Sequence, residues 1–158
     1  MPELKIRPAK WSDKDLLRDM DLKIFDEPWD DGYWLYWFVD TRVILLVEVD
    51  GKPAGFAVGE LNEDGIVIEK LGVKFGYRRM GVSRMLLDGC DDLTVQCKVA
   101  KIYLVIPEPW LYEDSPDCVA GWMKAMGIKA RLPYLSKYFC VNEVEFDGIR
   151  CELEVEGQ

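Results

Sequence analysis

The stretch VKFGYRRMGVS, Val73–Ser83, governs how the rest of the chain is read. Lys74, Arg78 and Arg79 lie in it without one acidic residue, in a chain of 158 residues and net charge −9. Widened to 70–87, the basic segment gains Lys70 and Arg84 and still has no acid. Upstream, IVIEKLGV (66–73) is apolar and β-branched enough to be a strand. Downstream, Val82, Met85, Leu86, Cys90, Leu93 and Cys97 recur at helical spacing. The basic turn therefore sits where a strand feeds a helix, and AKIYLVI (100–106) supplies the next strand. A strand–helix–strand unit predicts two parallel strands and a right-handed crossover.

Such a junction suits an anion. Helix N-termini expose N–H groups without acceptors and carry partial positive charge, and backbone amides there hold phosphate. Gly81 lets the chain approach a ligand without an intervening Cβ. A solvated loop with a glycine for its turn is the competing reading.

Further out, LKIRP (4–8) alternates like a short strand, and WSDKDLLRDMDLKIF reads as a helix with Ser12 as N-cap and Leu16, Leu17, Met20 and Ile24 on one stripe. YWLYWFV (33–39) predicts a short aromatic helix. RVILLVEV and PAGFAVGEL form a hairpin across Asp50-Gly51, and KYFCVNEVEF and IRCELEV a second one across Asp147-Gly148. Between them, SPDCVAGWMKAMG predicts a helix with Ser115 as N-cap, Pro116 at its first position and Gly127 past its end. The order predicts an α+β fold over 1–158 as one domain: a single mixed, mostly antiparallel, twisted sheet flanked by helices.

The totals narrow the function. A net charge of −9 disfavours nucleic-acid binding, which depends on neutralising phosphates. The longest apolar run has seven residues, too short to cross a bilayer, and the start lacks a signal-peptide core, so a soluble, cytoplasmic protein is expected. The chain has no histidine, which excludes Ser-His and Cys-His devices and His-ligated zinc; no metal is expected. Five cysteines without a CxxC predict free thiols. With the turn at Asp147-Gly148, Cys140 and Cys151 would stand too far apart to bridge.

The basic turn resembles motif A of the GNAT acetyltransferase family, V-x-P-x-x-[QR]-x-x-G-x-[GA]. Val73, Arg78 and Gly81 match; Phe75 stands for the usual Pro and Ser83 for the usual Gly or Ala. The element order also resembles that family over nearly the whole chain. The resemblance implies a GNAT-like acyl-CoA N-acyltransferase fold, acetyl-CoA as cosubstrate, and an amine-bearing acceptor, a small molecule or a protein. It places the pyrophosphate on the segment Arg78, Arg79, Met80, Gly81, Val82, Ser83 and Arg84. Leu71, Gly72 and Val73 would pair with the pantetheine arm as with an added strand, and an N–H near Val73 would meet the oxyanion.

An amine attacks a thioester only when neutral, so a proton must be removed. Strand alternation puts residues 67, 69, 71 and 73 on one face, and makes Glu69 the candidate general base, at a position where several members of this family have an acid. A plain ion pair with Lys70 or a neighbouring cation is the alternative. The family pattern N-x-x-A-x-x-x-Y-x-x-x-G puts Met123 at the place of the acid tyrosine and Pro116 at that of the asparagine. Tyr112, in the preceding loop, is the candidate substitute, or an aromatic packed on the rim. Asp26, Glu27, Trp29, Asp30 and Tyr33 are the candidate acceptor-binding residues, since carboxylates beside aromatic faces suit a cation; helix capping and core packing are the alternatives. Trp34 and Trp37 are expected in the core. The terminal hairpin offers an edge to a second copy, as in a homodimer. A non-catalytic acyl-CoA-binding or protein-interaction module on the same fold is the rival reading.

Overall fold

A computed structural model describes residues 1–25, 28–38, 42–63, 65–97, 101–107, 120–126, 128–141 and 144–154, with the backbone alone for 95, 101, 105–107, 120–121, 129–141 and 144–154. The strands are β1 (Leu4–Pro8), β2 (Arg42–Val49), β3 (Lys52–Leu61), β4 (Gly65–Val73), β5 (Lys101–Pro107), β6 (Lys129–Val141) and β7 (Val144–Glu154). The helices are α1 (Lys14–Ile24), α2 (Asp31–Trp37), α3 (Val82–Cys97) and α4 (Ala120–Met126). All seven strands form one sheet in the order β1-β2-β3-β4-β5-β7-β6. Every neighbouring pair is antiparallel except β4 and β5, which are parallel. This is the mixed, mostly antiparallel sheet that the strand–helix–strand unit and the hairpins predict.

The sheet has a core on each face. Leu45, Val47 and Val49 of β2 join Ile66 and Ile68 of β4, Val82, Leu86, Leu87 and Cys90 of α3, and Met123 of α4. The alternate β2 residues Ile44 and Leu46 pack on the opposite side with Leu17 and Met20 of α1, Trp34 and Trp37 of α2, and Phe56 and Val58 of β3. Period-two alternation of the strand explains how one sequence serves both layers. Trp34 and Trp37 are buried at 0% and 2% exposure, as their spacing predicts. Burial pushes the Cys90 thiol up to about 12, so it behaves as a packing group.

Three local expectations are corrected. Ser12 is not a helix cap. It lies inside a 3-10 turn, Trp11–Asp13, and Asp13 does the polar work by accepting from the Lys10 N–H at 2.7 Å. Asp13 wins because its carboxylate also meets Arg7.

Asp147-Gly148 is not the terminal turn. It lies within β7, where Gly148 is in register with Leu135 on one side and Pro107 on the other. Pairing along both edges of β7 outweighs the local turn preference, and the register instead closes at Val141 and Val144. Cys140 then opposes Glu145, whereas Cys151 opposes Ala130 and Leu104. They remain about 20 Å apart along the strand, too far for a disulfide.

The third correction is the phase of β4. Val58 is in register with Lys70 and Gly59 with Ile68, so Glu69 is an extra residue, a β-bulge. Before it, Ile66 and Ile68 face α3; after it, Leu71 and Val73 do. Gly72 faces α1, where a Cβ would meet Phe25 Cε2 at 2.7 Å. Residues 67, 69, 71 and 73 therefore do not share one face: the bulge reverses the alternation.

Candidate active site

The parallel pairing of β4 with β5 covers only Gly65–Ile68 against Lys101–Leu104. Beyond that point, β4 keeps its register with β3 from Lys70 to Val73, and β5 keeps its register with β7 to Pro107. Among the described residues, no register pair joins the two strands past the bulge. The sheet thus opens in its middle, beginning at Glu69. Among the described residues, no strand is in register with Lys70–Val73 on the side of β4 away from β3, and an extended ligand could add itself there as a strand.

That edge leads to the basic turn. After Val73 the chain makes a 3-10 turn, Phe75–Tyr77, and α3 starts at Val82. Arg79 and Gly81 take positive φ, 63° and 87°. The Met85 N–H donates to the Gly81 carbonyl at 3.0 Å, which makes Gly81 the residue that opens the helix. The first-turn amides of Val82, Ser83 and Arg84 then have no intrahelical acceptor, a geometry suited to an anion. A Cβ on Gly81 would meet nothing within 4 Å, so backbone conformation, and not crowding, is what requires glycine there. Val82 is only 2% exposed and anchors the helix start to the core.

The five cations of the segment divide. Lys74 is half-buried and Arg78 and Arg79 are exposed at the turn. Arg78 Nε lies 3.4 Å from the Val73 carbonyl oxygen, and its guanidinium 5.4 Å from the Phe75 ring centroid. Arg84 donates to the Ala125 carbonyl of α4 at 2.9 Å. Lys70 does not belong to the basic turn: it projects toward α1, and its Nζ lies 2.6 Å from Asp21 Oδ1.

Glu69 is half-buried at the bulge, where the two strands part. Met123, at the family's tyrosine position, is only 5% exposed and lies in the α3-side core. Tyr112 and Pro116 lie outside the described residues, as do Asp26 and Glu27. Of the remaining acceptor candidates, Asp30 caps α2 by accepting from the Tyr33 N–H at 2.8 Å. Trp29 packs on Tyr33, with ring centroids 4.7 Å apart, and stacks on Trp37 at 5.5 Å. Pro28, Trp29, Asp30, Gly32, Tyr33 and Tyr36 line an open hollow of about 690 Å³. Asp31 is paired with Arg18 at 2.7 Å.

Sequence reasoning missed Asp21. This residue is fully buried in α1, and its Oδ2 accepts from the Trp29 N–H at 2.8 Å and from Trp34 Nε1 at 3.0 Å. Its other oxygen meets Lys70. The only signal was an Asp on the apolar side of an amphipathic helix, one residue after Met20. Tyr36 was likewise read only as part of an aromatic run.

A sheet that splits at a bulged strand beside a glycine-opened helix is the architecture of acyl-CoA N-acyltransferases. The family model for the acetyltransferase (GNAT) family matches residues 12–111, and the chain belongs to that family. It is an N-acetyltransferase by fold and family. Solved structures agree in architecture. The ribosomal-protein-S18-alanine N-acetyltransferase from Escherichia coli superposes with TM-score 0.81 at 17% identity, covering 99% of this chain and 96% of that one. Arabidopsis thaliana NAA60 in complex with acetyl-CoA gives 0.76 at 17%, covering 98% and 100%. The spermidine/spermine N-acetyltransferase SpeG from Vibrio cholerae gives 0.70 at 16%, covering 96% and 92%. At these identities the likeness establishes the fold. No curated protein matches the sequence significantly. No helix among the described residues is long and apolar enough to cross a membrane.

Proposed function

We propose that this N-acetyltransferase, acting as one domain over 1–158, moves the acetyl group of acetyl-CoA to a primary amine by direct attack. The observation that carries the reading is the opened β4 edge running straight into the Gly81 turn. Pantetheine amides would pair with the backbone of Leu71, Gly72 and Val73. The pyrophosphate would rest on the amides from Arg79 to Arg84, with Arg78 and Arg79 supplying positive charge.

Glu69 acts as the general base in this reading. It takes a proton from the acceptor ammonium, directly or through water, and the neutral nitrogen attacks the thioester carbonyl carbon. A backbone N–H near Val73 supports the oxyanion. The nitrogen, cationic after the attack, gives its second proton to water, and the C–S bond breaks so that CoA leaves as thiolate, a good leaving group near neutral pH. Tyr112 is the proposed proton donor to it.

The acceptor enters at the hollow beside Trp29, Tyr33 and Tyr36. Its one described carboxylate, Asp30, also caps α2, and the surrounding rings suit an amine carried on an apolar or cationic body. Small amines, protein N-termini and lysine side chains share that chemistry. Solved relatives named for an alanine of a ribosomal protein and for polyamines fall within this range.

Incubating purified protein with acetyl-CoA and an amine panel tests the proposal. Acetylated product by mass and release of free thiol are expected. Burial of Met123 in the core favours one other reading, a non-catalytic acyl-CoA-binding module. Acetyl-CoA binding with no thiol released for any amine would select it.

A further inference from the structure

We infer that Lys70 and Asp21 form a positioning pair that fixes the acceptor side of the site at a set distance from Glu69. The inference rests on the acetyl-transfer reading above and adds two residues to it. Lys70 directly follows the bulge residue Glu69 on β4, so the two backbones move together. Its Nζ lies 2.6 Å from Asp21 Oδ1, and also 4.5 Å from the Phe25 ring centroid and 4.4 Å from that of Trp29. Phe25 ends α1, and Trp29 stands just before α2.

The second oxygen of Asp21 binds the Trp29 N–H and Trp34 Nε1. One buried carboxylate therefore ties α1, the entry to α2 and β4 together. Trp29, held by its amide and by the ammonium over its ring, is also a wall of the acceptor hollow. The side chains of Lys70 and Asp21 are 9% and 0% exposed. Neither residue lines the hollow, and the ammonium has left the basic turn. Its work is to carry the position of the bulge to the aromatic wall.

A hydrophobic side chain at 70 alone would strand a buried carboxylate and destabilise the fold. The informative variant is the double one, Asp21→Asn with Lys70→Met. Asn keeps an oxygen for Trp29 or Trp34, and Met fills the space between the rings. Three readouts apply: thermal melting, hydrogen exchange across 28–34, and steady-state kinetics with acetyl-CoA and an amine that the wild-type protein acetylates.

The double variant is expected to fold and to keep its KM for acetyl-CoA. Exchange across 28–34 should rise about tenfold or more, and acceptor kcat/KM should fall about 10- to 100-fold, mainly through acceptor KM. A purely structural pair would lower the melting temperature without that KM split. Unchanged exchange across 28–34 in a folded variant overturns the inference, as does looser exchange with unchanged acceptor kcat/KM. A wild-type protein that acetylates no amine overturns the acetyl-transfer reading itself, and the inference with it. An active wild-type protein whose double variant is kinetically unchanged overturns the positioning role alone.

Discussion

Arg7 and Asp13 meet through two parallel hydrogen bonds, Nη1 to Oδ2 at 2.7 Å and Nη2 to Oδ1 at 2.9 Å. Arg7 Nε reaches Glu48 at 3.0 Å, and Asp13 also accepts from the Lys10 N–H. One guanidinium thus joins β1, β2 and the turn that leads into α1. The Arg7 hydrogen bonds hold the Asp13 carboxyl down at about 2, against the opposing pull of burial. A carboxyl whose pKa falls on folding adds stability above its unfolded value near 4, and that stability is lost as pH falls toward 2. The contribution at neutral pH is on the order of 2 kcal/mol. Asp13→Asn should lower urea-denaturation stability at pH 7 by about that amount and flatten its fall between pH 4 and 2. A variant curve parallel to wild type through that interval would remove Asp13 from the account.

Gly81→Ala tests the anion turn. With φ at 87°, alanine is strained by about 1–2 kcal/mol whatever the space around it. Relaxation of that strain moves the amides that open α3. Titration calorimetry should show acetyl-CoA affinity falling at least about tenfold. Unaltered affinity would place the pyrophosphate elsewhere.

Glu69→Gln should cut turnover at pH 7 by about 100-fold or more while leaving acetyl-CoA affinity intact. Turnover equal to wild type would dismiss Glu69 as the base. A loss of coenzyme affinity equal to the loss of rate would instead mark a defect in the bulge.

Gly72→Ala sets a Cβ 2.7 Å from the Phe25 ring, which must move. Overpacking of this kind costs about 1–3 kcal/mol, measurable by chemical denaturation. An unchanged midpoint would mean that Phe25 yields freely, contrary to its place against Lys70.

Much of this was readable from residues. Val73, Arg78 and Gly81 marked the strand–helix junction, and the spacing of Val82, Leu86 and Cys90 defined the face of α3. Three things escaped for physical reasons. Strand alternation assumes an unbroken pleat, and a single bulge residue, Glu69, reverses it. The Asp-Gly pairs at 50–51 and 147–148 both read as hairpin turns, yet Asp50-Gly51 turns between β2 and β3 while Asp147-Gly148 runs through β7, because partners far away in sequence decide. Lys70 looked like one more cation of the basic turn; only the folded chain brings it to Asp21, 49 residues earlier.

On the proposed reading, in which acetyl-CoA pairs with β4, the seam between β4 and β5 gives that molecule a role beyond chemistry. A chain that supplies the absent rung of the ladder acts as a folding partner, and thermodynamic linkage then ties melting temperature to its free concentration. Cells poor in acetyl-CoA would hold a looser, more protease-sensitive form of this protein, so metabolic supply would govern abundance as well as rate.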